Sequence, residues 1–303
     1  MILFFWCAFI VFFILISHYR EPIDKDRCFV VCTTTIIADA VSAIGGDYVK
    51  VKTLMGPGID PHLYHPRESD IMALSLADII FYNGLHLEGK MADVFAYMRD
   101  KKVVCAVAQL IEASDCISSD FENIYDPHLW HDVSLWQRIA KPIANFLIQK
   151  DPLHALYYAA RAQEYEDKLK DLDEWVQDQI SLIPENRRIL ITAHDAFSYF
   201  GKRYGLQVIG LQGLSTDAQI TPHDIQKAVY YCIQYDIPAL FLESSIPPQS
   251  ILAVQKAAAA REKKITIAPE LFSDSLGDQT TTAHTYCDMI RYNVETIVSA
   301  LTQ

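Results

Sequence analysis

Basic residues are scarce in this chain. Lys and Arg number 26 against 38 Asp and Glu, a formal net charge of -12. A surface of that sign repels phosphate backbones, which excludes nucleic acid as a partner class. Long apolar runs are scarce as well. One covers residues 2–16, and nothing of membrane length follows it. As a helix it would reach about 22 Å, short of a hydrocarbon core of about 30 Å, and it has the length of a signal-peptide core. Residues 1–27 are therefore expected to be an export signal, with Ser17 as a small residue for cleavage. No basic residue precedes the run, so an uncleaved membrane anchor is the alternative. Cysteine is present but unpatterned: there is no CxxC pair, and no lipoprotein-type pattern precedes Cys7, Cys28 or Cys32. Six thiols remain without the signal, and six allow about 15 pairings, among which the sequence does not choose. An exported location permits disulfides, yet Cys32 and Cys105 fall in apparent strands and read as buried free thiols. The signatures HExxH and GxSxG are missing, as is a paired-metal carboxylate cluster. A hydrolase would need such a base or nucleophile.

What is present is a regular alternation. With 51% hydrophobic residues, 303 residues suffice for two cores. Residues 29–34, 49–54, 78–82 and 102–107 read as strands, with helices at 35–44, 67–76 and 90–99 between them. A helical pattern covers 132–149. Residues 152–182 then carry Leu153, Leu156, Ala160, Leu169, Leu172, Trp175, Val176 and Ile180 at helical spacing. Pro152 suits a first turn and Pro184 a stop, which predicts one helix of roughly 30 residues, about 45 Å long. Strands return at 188–193, 206–209, 239–243 and 264–268, with helices at 197–204, 222–235, 248–262 and 282–301. Alternation of this kind means parallel sheets with crossover helices. The expected fold is α/β: an N-terminal lobe at 28–150, a long linker helix at 151–184 and a C-terminal lobe at 185–303.

Four short motifs stand out against this frame. They are Asp60-Pro61-His62, Asp126-Pro127-His128, Thr192-Ala193-His194-Asp195 and Phe272-Ser273-Asp274-Ser275. His62, His128, His194 and Asp274 fall two in each half of the chain. His62, His194 and Asp274 follow predicted strands, where open parallel sheets bind ligands. Three imidazoles and a carboxylate suit a divalent first-row transition metal, held between the lobes. A closed four-coordinate site would favour zinc; a bidentate Asp274 would favour manganese or iron(II).

The same segments resemble the periplasmic metal-binding proteins that serve zinc and manganese ABC transporters. Gly58-Ile59-Asp60-Pro61-His62, Asp126-Pro127-His128-Leu129-Trp130 and the stretch from Ala193 to Gly205 carry the likeness. So do Leu271 to Gly277, Gly213 to Thr216 and Asp288 to Asn293. The resemblance covers roughly residues 28 to 303. It implies two α/β lobes on a long helix with the cargo metal in the cleft. It also implies a monomer in the periplasm that hands its ion to a membrane permease driven by a cytoplasmic ATPase, and no catalysis. A metal-dependent adhesin and a mononuclear zinc hydrolase are the other readings. There are departures. His65 and His131 each follow a proposed ligand by three residues and read as exposed loop histidines, the alternative being partners that support a ligand or alternative ligands themselves. His284 stands where the family often has Asp. Asp195 is expected to orient a ligand or cap a helix. Residues 112–125 lack the His-rich loop of the zinc branch, while His194 replaces the Glu common in the manganese branch.

Overall fold

The computed structural model describes residues 27–118 and 124–302. The expected export segment, with Cys7 and Ser17, lies outside the described residues, as do five residues of the stretch 112–125. Among the described residues, no helix is long and apolar enough to cross a membrane.

The N-terminal half forms a four-stranded parallel sheet in the order β2-β1-β3-β4, from β1 (Cys28–Cys32), β2 (Val49–Thr53), β3 (Ile79–Tyr82) and β4 (Val103–Ala106). All four residues of β3 are buried, as expected of a strand covered on both faces. Helix α1 (Thr35–Gly45) starts where the Thr34 hydroxyl accepts the Ile37 N–H. It buries Ile36, Ile37, Ala40, Val41 and Ile44 on one face. Helices α2 (Glu68–Leu76) and α3 (Ala92–Arg99) complete the crossovers.

The helical pattern predicted at 132–149 is two helices, α4 (Val133–Gln137) and α5 (Ala140–Lys150). Pro142 is the cause. It has no N–H for the Arg138 carbonyl, and its ring crowds that carbonyl. The chain then makes a 3-10 turn over Pro152–His154 and enters α6 (Ala155–Ser181). At 27 residues, α6 is about 40 Å long. Its buried stripe is Tyr158, Ala162, Tyr165, Leu169, Leu172, Asp173, Val176 and Ile180. Leu153 and Leu156, expected in that stripe, are 92% and 89% exposed; Tyr158, Ala162 and Tyr165 take their place.

The C-terminal half has two parallel pairs, β5 (Ile189–His194) with β6 (Gln207–Gln212) and β7 (Ala239–Glu243) with β8 (Thr266–Leu271). Strand β5 runs close to β7. Helices α7 (Ser198–Tyr204), α8 (Pro222–Gln234), α9 (Gln249–Ala259) and α10 (Tyr286–Leu301) surround them. Helix α6 packs on α1, α4 and α5 from the first half and on α7 and α10 from the second. Buried Asp173 anchors the second half, accepting from Tyr204 at 2.8 Å and from the Arg203 guanidinium. One apolar core runs from Val30 and Phe81 through Leu169 and Val176 to Phe200, Phe241 and Met289. The two α/β lobes are thus welded along α6 and through a common core. The described cysteines are all free thiols, and Cys32 and Cys105 are buried, as expected.

Candidate metal centre

Each of the four motifs ends a strand or opens a turn on the same side of the molecule. In Asp60-Pro61-His62, the Asp60 Oδ1 accepts the His62 backbone N–H at 2.9 Å. In Asp126-Pro127-His128, the Asp126 Oδ1 accepts the His128 N–H at 2.9 Å and also meets its ring Nδ1 at 2.7 Å. The local chemistry is an Asx turn, in which the Asp side chain imitates a backbone carbonyl. His194 is the last residue of β5. Its N–H donates to Glu243 Oε1 at 2.9 Å, and its Nδ1 lies 2.6 Å from Glu243 Oε2. Gly210 lets β6 press behind this point: a Cβ there would fall 2.4 Å from the Asp195 nitrogen and 2.7 Å from the His194 carbonyl carbon. Asp274 follows β8. The β7–β8 register slips between Phe241 and Glu243, opposite Pro269, which has no ladder donor.

These elements bring His62, His128, His194 and Asp274 together, each able to offer one ligand atom within 4.8 Å of the others. His62 Nε2 is 3.2 Å from His128 Nε2. Asp274 Oδ1 is 3.6 Å from His128 Nε2, and Oδ2 is 3.4 Å from His194 Nε2. A tetrahedral ion with ligands at about 2.0–2.1 Å has edges of about 3.3 Å, so these spacings fit one. His62 is 5% exposed, Asp274 1% and the other two 0%. Asp274 Oδ1 and His194 Nε2 have no hydrogen-bond partner despite burial. Unpaired polar atoms in a dry pocket are costly, and a cation satisfies both.

Burial pushes the His62 imidazole down to about 3, with Asp274 only partly opposing, so it is neutral. Burial also acts to neutralise His194, but the carboxylates of Glu243 and Asp274 on its two sides hold it well above the ordinary value. Burial alone would raise Asp274; the facing His194, His128 and His62 instead keep it far below the usual carboxylate range. His194 thus holds its proton more strongly than His62 does.

Other expectations fare differently. His65 is exposed, as read from the sequence. His131 is not: it is fully buried, its Nε2 donates to the Ser273 carbonyl at 3.0 Å, and its ring lies against Phe197. Trp130 Nε1 donates to the same carbonyl at 2.8 Å. The turn carrying His128 thus grips the residue before Asp274. Asp195 neither orients a ligand nor caps α7; its Oδ1 accepts from the Ser198 hydroxyl. His284 is exposed and bonds the Thr281 carbonyl. Glu243 and the ring contact of Asp126 were not anticipated. A legible sign existed for Glu243, an acid closing the apolar strand Ala239–Glu243.

Two parallel α/β lobes fixed on one helix, with a dry pocket of three imidazoles and a carboxylate between them, define a solute-binding protein for a small cation. Residues 30–300 match the ZnuA family, the periplasmic component A of the zinc-uptake complex, and the chain belongs to that family. It is 43% identical over 282 residues to the zinc-binding protein TroA of Treponema pallidum (strain Nichols), covering 93% of this chain and 91% of the relative. Identity is also 43% to the manganese-binding lipoprotein MntA of Bacillus subtilis (strain 168), over 272 residues, 90% of this chain and 89% of the relative. Among solved structures, the periplasmic zinc-binding protein TroA from Treponema pallidum superposes with a TM-score of 0.89 at 42% identity, covering 91% of this chain and all of that one. Fe(III)-bound YtgA from Chlamydia trachomatis gives 0.82 at 30%, covering 90% and 98%.

Proposed function

We propose that this chain is the extracytoplasmic solute-binding component of an ABC transport system for a divalent transition metal. His62, His128, His194 and Asp274 are its ligands. The observation that carries this reading is the buried cluster itself, with its unpaired Nε2 and Oδ1 atoms and three ligand-atom spacings of 3.2, 3.4 and 3.6 Å. Membership in the ZnuA family supports it, and zinc- and manganese-binding relatives agree. Neutral His62 needs no proton removed. His194 gives up the proton on Nε2 and keeps the one on Nδ1, which faces Glu243 Oε2 at 2.6 Å, so the carboxylate holds the ring's charge and tautomer for the metal.

The ion is cargo rather than catalyst. Four protein groups would hold it, as in a closed carrier site, whereas a catalytic site keeps a position for substrate. We assign residues 1–27 to the export signal, 28–150 and 185–303 to the lobes and 151–184 to the connecting helix. The protein works as a monomer in the periplasm and passes its ion to a permease coupled to a cytoplasmic ATPase. Zinc should bind most tightly of zinc, manganese and iron by the Irving–Williams order, which does not itself select the cargo. Metal analysis of the protein isolated from its native compartment tests the reading. One zinc, manganese or iron per chain, lost in H194A, is expected; a metal-free native protein, or full occupancy in H194A, would overturn it.

A further inference from the structure

His62 differs from the other two imidazoles. Among the described residues, no carboxylate lies within hydrogen-bonding distance of its ring, whereas Asp126 and Glu243 hold His128 and His194. It closes a loop, residues 56–60, that is exposed or half-exposed and in which Gly58 takes a φ of +72°. What secures that loop comes from the other lobe. Asp60 Oδ1 holds the His62 N–H, and its Oδ2 accepts the Thr216 hydroxyl at 2.6 Å. Thr216 is itself braced: Gln212 Nε2 donates to the carbonyls of Thr216 and Ala218 at 3.0 and 2.6 Å. Gln212 pairs with His194 in the β5–β6 register. An unbroken line of contacts therefore runs from His194 through Gln212, Thr216 and Asp60 to His62. The exposed pair Lys90–Asp217, at 2.8 Å, closes the same edge. The opposite edge is shut by buried bonds, Trp130 and His131 to the Ser273 carbonyl and Tyr199 to the Asp126 carbonyl.

We infer that Thr216 is a positioning residue for His62, and that its hydrogen bond to Asp60 is a catch setting how long the bound ion stays. The inference rests on the reading of the four residues as ligands. The ion enters and leaves at the His62 edge, because that edge is held only by partly buried or exposed contacts: the Thr216–Asp60 bond, the Gly58 N–H on the Ser275 hydroxyl at 2.9 Å and one surface ion pair. Breaking the catch leaves the loop held at Gly58 but loosens its Asp60 end, next to His62, without touching a ligand, so release accelerates while capture changes little.

The test uses the full chain loaded with zinc and mixed in stopped flow with excess chromogenic chelator. T216V is expected to release zinc about tenfold faster, the equivalent of about 1.4 kcal/mol, a magnitude in keeping with a hydrogen bond to a charged acceptor. Its association rate should change less than about threefold, and T216S, which keeps the hydroxyl, should release at the parent rate. Should T216V fold poorly, Q212M loosens the same loop from the β6 side and is read in its place. Release within about twofold of the parent, or T216S behaving as T216V, would overturn the catch while H194A still abolishes binding. Undiminished zinc binding by H194A would overturn the ligand reading, and the catch with it.

Discussion

The turns Asp60-Pro61-His62 and Asp126-Pro127-His128 share one sequence and one backbone device, an Asp oxygen accepting the His N–H at 2.9 Å. They part at the ring. Asp126 also reaches the Nδ1 of His128 inside a fully buried pocket, so that motif fixes its own imidazole. Asp60 turns its second oxygen to Thr216 across the cleft, so the other motif is fixed from outside itself. A three-residue sequence thus encodes the turn, while the surroundings decide whether the imidazole is held by its own Asp or through a residue of the other lobe.

The comparison breaks most decisively at the ligands. H128A is expected to weaken zinc binding on the order of 1,000-fold, beyond the roughly 10–100-fold loss typical of an outer partner. H62A should cost less, about 100-fold, because its ring has less holding it. Competition with a chelator of known affinity measures both, and equal losses would erase the distinction. Next come the partners. D126N and E243Q should each weaken binding about 10–100-fold by freeing a ring to turn, read in the same competition.

Protons sharpen the contrast further. His194 holds its proton well above ordinary values, while His62 is already neutral down to about pH 3. Zinc binding at neutral pH should therefore expel about one proton from His194 and none from His62, giving that step about a tenfold gain in affinity per pH unit. Calorimetry in buffers of different ionisation enthalpy counts the protons released. E243Q, which removes one of the two anions facing His194, should release fewer.

The smallest effect concerns His131. H131F loses the bond to the Ser273 carbonyl, which Trp130 still satisfies, and should destabilise the metal-free protein by about 1 kcal/mol at neutral pH. Burial holds His131 neutral to about pH 3, whereas an unfolded His protonates near about 6.5. The parent therefore loses stability as pH falls below about 6.5, and phenylalanine does not share that loss. The gap between the two should narrow on acidification, measured by urea midpoints at pH 7.5 and 5.

The features legible in the sequence were those carried by local chemistry. Alternating apolar runs gave the parallel strands and their helices, and each proposed ligand sat in a short motif, two of them in an Asp-Pro-His turn. Features created by distant packing were not legible. Leu153 and Leu156 match the helical period, but α6 begins only at Ala155, and its stripe turns a different face to the core. The break before Ala140 follows from Pro142, a residue that tolerates a first turn as easily as it interrupts a longer one. His131 resembles His65 in sequence, each three residues beyond a ligand. Only the docking of Phe197 and Ser273 buries one and leaves the other in water. Glu243 meets His194 from 49 residues away, a pairing that no spacing rule contains.

The free thiols have a consequence for the order of events in the life of the protein. Burial raises Cys28 and Cys105 to about 12, and Cys232 and Cys287 to about 11, so these four offer almost no thiolate once folded. An unfolded thiol ionises near about 8.5 and is a soft, avid partner for zinc. The nascent chain is thus a sulfur chelator and the finished one a nitrogen–oxygen chelator. An ion that arrives early stabilises the wrong state, since binding to the unfolded chain subtracts from its stabilisation of the folded one. Folding must come before loading, and the exchange of sulfur for imidazole marks the moment at which the protein becomes fit to carry its cargo.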